Sequence, residues 1–124
     1  MTAELRNDDV LKVFHALAEK WQLSSKEQAT LLGIVVDEYS ALSKNTDQKA
    51  CIGLVHRIAQ LADIQKAIEA IAPRGHSKTF LTNQNMTPPL NGTSIREYLL
   101  TRNTDDEVET LARWLKSIVY GSYS

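Results

Sequence analysis

Three histidines (His15, His56 and His76) and a single cysteine, Cys51, are the side chains of this chain best suited to proton transfer, nucleophilic attack or metal ligation. Such chemistry needs several lone pairs converging on one point, and in a sequence that shows as ligands three or four residues apart or in close Cys and His pairs. None of the three histidines stands at that spacing from another histidine, the cysteine or a paired carboxylate. His15 and His56 fall within helical stretches, where ordinary packing accounts for them, and His76 falls in a loop. Cys51 falls in the apolar stripe of a predicted helix, which makes it a small buried residue, and no acid–base pair is matched to it. Carboxylates cluster at Asp8-Asp9 and Asp105-Asp106-Glu107. Both clusters stand at helix starts, where the positive end of the helix dipole explains them. The five glycines are scattered and form no phosphate-cradling loop. The expectation is a protein with no catalytic residues, no metal site and no cofactor, which acts by binding another macromolecule.

The bulk properties narrow the partner. The chain has 124 residues, 43% of them hydrophobic and 23% charged, which suits one domain or two small ones. No apolar run approaches the ~20 residues of a membrane span. The first residues lack a basic-then-apolar signal pattern, and one cysteine cannot form an internal disulfide, so a reducing cytoplasm is expected. Net charge is −1. Residues 1–46 carry five Lys/Arg against seven Asp/Glu, and residues 76–124 carry five of each. Duplex DNA binding draws much of its affinity from phosphate neutralisation. This charge distribution therefore argues against strong autonomous DNA binding and leaves room for a weak or dimer-assisted mode.

The elements that would position any site are helices, and the predicted fold class is all-α. Val10, Leu11, Phe14, Leu17, Ala18 and Trp21 share one 3.6-residue stripe, behind an Asn7-Asp8-Asp9 start, and predict a helix over 8–21. Ser24 and Glu27 form a capping box that opens a helix over 25–32, closed by Gly33 in a left-handed turn. A short helix over 36–44 follows, with Val35 poorly suited to its cap. Asn45-Thr46-Asp47 is expected to start the next helix, whose stripe from Cys51 through Leu54, Val55, Ile58, Leu61 and Ile64 to Ile71 supports one long helix or two joined near Asp63. Pro73-Arg74-Gly75 ends it. Pro88-Pro89 and Asn91-Gly92 break up the segment over 74–94, with room for one short helix near Thr79–Leu81. Ser94 with Glu97, and Thr104 with Glu107, open two more helices, to about Leu100 and over 105–119. In the last, Val108, Leu111, Trp114 or Leu115, and Ile118 are expected to face inward.

Two constellations suit binding. Ala29 and Gly33, four apart, with Ile34, Tyr39 and Leu42 behind them, match the close helix approach, turn and locking residues of a helix-turn-helix. Its second helix would offer Ser40, Ser43, Lys44 and Asn45 to DNA, although Asp37 and Glu38 at its N-terminal end oppose phosphates. A scaffold hairpin that takes part in dimerisation explains the same pattern. Further on, Pro89-Leu90-Asn91-Gly92-Thr93-Ser94 forms a tight entry turn, and residues 120–124 carry Tyr120 and Tyr123, aromatic enough to dock.

The residues Phe80-Leu81, Asn83-Gln84-Asn85, Pro89-Leu90-Asn91-Gly92-Thr93-Ser94, Tyr98-Leu99-Leu100, Trp114-Leu115, Ile118 and Tyr120-Gly121 form a pattern that resembles the toxin-binding domain of the Xre/MbcA/ParS antitoxin family, partners of RES-domain toxins. Leu23 to Leu42 loosely resemble that family's N-terminal helix-turn-helix. The chain departs from the family pattern at Phe80, where Trp is frequent, at Ile95, where Pro is frequent, and at the uncapped Val35. The resemblance implies a helix-turn-helix part over 1–73 and a toxin-binding domain over 74–124. It also implies a bacterial type II antitoxin that blocks the active site of an NAD-consuming RES-type toxin and represses its own operon, as a homo-oligomer or a toxin–antitoxin hetero-oligomer. The toxin-facing groups it implies are Leu90, Asn91, Gly92, Thr93, Ser94, Arg113, Lys116, Tyr120, Gly121 and Tyr123. The alternative is a helix-turn-helix transcriptional regulator without a toxin partner.

Overall fold

Side-chain periodicity of 3.6 runs through almost the whole chain, and the computed structural model, which describes residues 5–72 and 74–120, is all-helical. Seven helices are formed among the described residues: α1 (Asn7–Lys20), α2 (Ser25–Leu32), α3 (Val36–Lys44), α4 (Ile52–Ile71), α5 (Ser77–Thr82), α6 (Ile95–Thr101) and α7 (Asp105–Val119). Strand pairing among them is limited to two isolated bridges, Arg6 with Lys49 and Asn85 with Thr93. No helix among the described residues is long and apolar enough to cross a membrane. The chain forms two compact units, residues 1–62 and 63–124. They part inside α4.

In the first unit, α1 buries Val10, Leu11, Phe14, Leu17 and Ala18, and Trp21 at its C-terminal end is buried with them. The Ser24–Glu27 capping box forms reciprocally, with bonds of 2.9 and 3.1 Å. α2 then ends at Gly33, whose φ of 73° lets its N–H reach the Thr30 carbonyl while Ile34 N–H reaches that of Ala29. Glycine is needed there because a side chain rarely adopts that backbone. α3 starts at Val35 with no side-chain cap and buries only Tyr39. Arg57 of α4 is buried, and its Nη1 donates to the Leu31 carbonyl at 2.7 Å. It thereby satisfies one of the carbonyls that a helix end leaves without an intrahelical partner. A Cβ on Gly33 would stand 3.4 Å from that same nitrogen.

The stretch after α3 departs from expectation. Residues 45–51 do not begin a helix; they run alongside residues 5–8. Asn7 N–H donates to the Gln48 carbonyl, Asp8 N–H to Thr46, and Ala50 N–H to Leu5. Asn7, expected as a cap, is the buried first residue of α1, and its side-chain amide donates to the Asn45 carbonyl. Backbone groups satisfied in this way cannot also serve a helix, so α4 starts only at Ile52. Cys51 lies ahead of it and is exposed, contrary to the buried helical position expected for it.

In the second unit Ile64, Ala67 and Ile68 of α4 are buried, as are Leu81, Leu90, Ile95, Tyr98, Leu99, Val108, Leu111 and Leu115. Pro73 lies outside the described residues. α5 and α6 pack together. Ser94 caps α6 through Glu97 N–H, and the Thr104–Glu107 box opens α7. Trp114 is only half-buried, and Ile118, expected inside, is 40% exposed. The buried series 108, 111, 115 continues at 119 and not 118, and Val119 is half-buried.

Among the described residues, each unit holds one buried tyrosine whose hydroxyl is occupied. Tyr39 donates to the Gln28 side-chain oxygen and sits 3.0 Å from His15 Nε2. Tyr98 donates to the Glu107 carbonyl at 3.0 Å. Burial raises the pKa of both above the usual value, and the Glu107 charge raises that of Tyr98 further, while Arg102 opposes it. The unfolded chain therefore ionises first as pH climbs past about 10, so this contribution is complete below that pH and is lost through the higher folded pKa. Urea unfolding at rising alkaline pH should show stability falling above about pH 10. Replacing Tyr39 and Tyr98 with Phe should flatten the fall.

Candidate functional site

α4 and the end of α7 form a concave surface in the second unit. Along α4, Asp63, Lys66, Ala67 and Ala70 follow at three- and four-residue spacing, which places them on one face. Lys116, Val119 and Tyr120, at the end of α7, complete a groove with a cavity volume of 270 Å³. Lys116 Nζ stands 3.8 Å from the Asp63 carboxylate, both about half exposed. Lys66 is exposed and makes no ion pair among the described residues. Tyr120 is 71% exposed, the largest exposed aromatic surface of the described chain. Lys116 and Tyr120 were legible as candidates. Asp63 and Lys66 were not, because their α4 positions look like an ordinary solvated face until α7 is laid against them.

The turn before α6 is a separate feature. Asn85 N–H bonds the Thr93 carbonyl and Gly92 N–H bonds that of Asn85, closing a nine-residue loop. Inside it, Leu90 and Asn91 N–H groups reach the Thr87 carbonyl, and Thr93 Oγ1 donates to that of Leu90 at 2.7 Å. Asn91 (φ 48°) and Gly92 (φ 98°) take the left-handed backbone expected of Asn-Gly, and the Pro88-Pro89 bond is cis. Leu90 is 1% exposed and Ser94 is buried as a cap, so these two shape the turn from inside. Asn91 is exposed, and Gly92 and Thr93 are partly so. The most exposed apolar side chain of the loop is Met86, 80% exposed, whose sulfur lies over Gly92. It was missed because a lone Met in a polar stretch carries no periodic signal.

The remaining candidates do not converge on the groove. Arg113 is turned back along α7 to Glu109 at 2.8 Å. Gly121 and Tyr123 lie outside the described residues. On α3 and its end, Ser40, Ser43, Lys44 and Asn45 are all exposed. Ser43 is bonded to the Tyr39 carbonyl and the Asn45 amide to that of Ala41. Asp37 and Glu38 are exposed in the first turn, next to exposed Val35 and Val36. His56 and His76 are exposed, and no group of three or more His, Cys, Asp or Glu that could hold a metal occurs among the described residues.

The arrangement in the second unit is a small slot with an apolar floor and a charged rim, together with a hydrogen-bonded loop. The groove is open, and its 270 Å³ lies just below the about 300–1,000 Å³ usual for sites that enclose small molecules. Comparison of the chain with protein-family models, with curated proteins and with solved structures finds no match in any of the three.

Proposed function

We propose that the chain is an antitoxin that neutralises an NAD-consuming RES-type toxin by binding over its active site, and that it has no turnover of its own. The reading starts from the resemblance carried by residues 80–121. The observation that best supports it is that Lys116 and Tyr120, two of the side chains the resemblance assigns to the toxin, line one groove. An exposed aromatic such as Tyr120 can bury on the order of 100 Å² of apolar surface in an interface, worth ~2 kcal/mol and enough to dominate a small contact. Coexpression with the RES-type protein of a neighbouring reading frame tests the proposal. The two should co-migrate on a sizing column and cellular NAD should be preserved. Tyr120→Ala should weaken the complex about tenfold while leaving the melting temperature unchanged. Separate migration with NAD still lost would reject the function.

A second reading, a helix-turn-helix regulator without a toxin, is favoured by α2 closing at a left-handed Gly33 ahead of α3. In the antitoxin reading the same part would repress the operon, as a homo-oligomer or within the toxin complex. Ser40, Ser43, Lys44 and Asn45 would face the DNA, with the acidic first turn of α3 limiting affinity. Band-shift on the upstream DNA separates the two: tight, steeply salt-dependent binding by the chain alone favours the regulator.

A further inference from the structure

We infer that the groove between α4 and α7 receives an acidic segment of the partner protein, an apolar side chain on its floor and a neighbouring carboxylate on Lys66. The inference rests on the toxin-binding reading and names the chemistry of the partner's contact at that same surface. Three observations carry it. The floor is apolar, made by Ala67, Ala70 and Val119, and small side chains leave room there for an inserted one. The rim holds two ammonium groups against one carboxylate, so the groove is net positive in a chain whose net charge is −1. Of the two, Lys116 is already paired with Asp63, whereas Lys66 makes no ion pair among the described residues. Lys66 is therefore the cation whose charge an incoming carboxylate would meet first. A second copy of this chain is a poorer occupant, because a symmetric contact would bring the lysine-rimmed patch against itself. A nucleic-acid strand would meet only two cations here, one of them neutralised, too few for phosphate-driven affinity.

Charge at the rim of an interface acts on recognition and association rate and is sensitive to salt. The test titrates a catalytically inactive RES-type protein of the neighbouring reading frame into the full chain at low and moderate ionic strength, with the melting temperature of every variant checked. Lys66→Glu should weaken binding about tenfold, and Lys66→Gln by a few-fold with a shallower salt dependence. Asp63→Asn, which releases Lys116 and makes the groove more positive, should tighten binding two- to three-fold, a direction that loss of structure would not produce. Lys78→Glu, on α5 and outside the groove, changes net charge by the same amount as Lys66→Glu and should leave affinity within twofold. Equal effects of Lys66→Glu and Lys78→Glu, or weaker binding by Asp63→Asn, overturn the acidic-segment assignment while leaving the toxin-binding function standing. Failure of the unsubstituted chain to bind the RES-type protein removes both. Self-association of the chain that Lys66→Glu abolishes would assign the groove to a second copy and overturn the inference.

Discussion

Replacing Leu90 with Ala is expected to destabilise the second unit by about 2–5 kcal/mol, the range for truncating a fully buried leucine. Leu90 is 1% exposed and is the buried anchor of the loop that Asn85 and Thr93 close. Its carbonyl also accepts from both the N–H and the hydroxyl of Thr93. Removing its side chain leaves a cavity beside the cap of α6 and frees the backbone that holds Asn91 and Gly92 in left-handed conformations. The substitution should therefore reduce partner binding as well, through loss of loop shape and not through a lost contact. Trp114 is the one tryptophan of the second unit and Trp21 that of the first. Urea unfolding followed by Trp114 fluorescence in a Trp21→Phe background should show the midpoint fall. A change under ~0.5 kcal/mol would mean that Leu90 does not anchor the loop.

The second large effect is expected at Arg57. A buried guanidinium that donates to a backbone carbonyl is costly to truncate, because the carbonyl then lies buried without its donor and the long side chain leaves a void. Arg57→Ala should cost the first unit about 2–4 kcal/mol. Arg57→Met keeps most of the volume and should cost less, since apolar filling replaces charge burial. Hydrogen exchange at the Gly33 and Ile34 amides gives the local readout. Those amides close α2 onto the Thr30 and Ala29 carbonyls, one and two residues from the Leu31 carbonyl that Arg57 holds. Faster exchange there than at the Val10 and Phe14 amides of α1 would show that Arg57 holds the α2–α3 turn. Uniform acceleration would show that it serves only global stability. If the helix-turn-helix reading holds, the looser turn should also misplace α3 and lower any DNA affinity.

The features legible along the chain are those that near neighbours decide. Ser24 with Glu27 and Thr104 with Glu107 form their capping boxes because both partners lie within one turn. Gly33 ends α2 because only its own backbone freedom is involved, and Asn91-Gly92 turns for the same reason. The starts of α2 and α7 follow from such caps, and the stripes on α1 and α7 follow from period alone up to the last turn, where the buried series passes to Val119 and leaves Ile118 out. Tertiary structure alone decided the rest. Residues 45–51 carry helix-compatible residues, yet their backbone groups bond to residues 5–8, some forty positions earlier, and that choice exposes Cys51. Arg57 looks like one more surface charge until Leu31 is brought to it from 26 residues away. The groove follows the same rule: Asp63 and Lys66 on α4 gain a meaning only when α7 sets Lys116 and Tyr120 beside them. Local hydrogen bonds and periodicity are encoded within a turn or two of chain, whereas a pairing between distant segments depends on which of many compatible partners the packed core brings within reach.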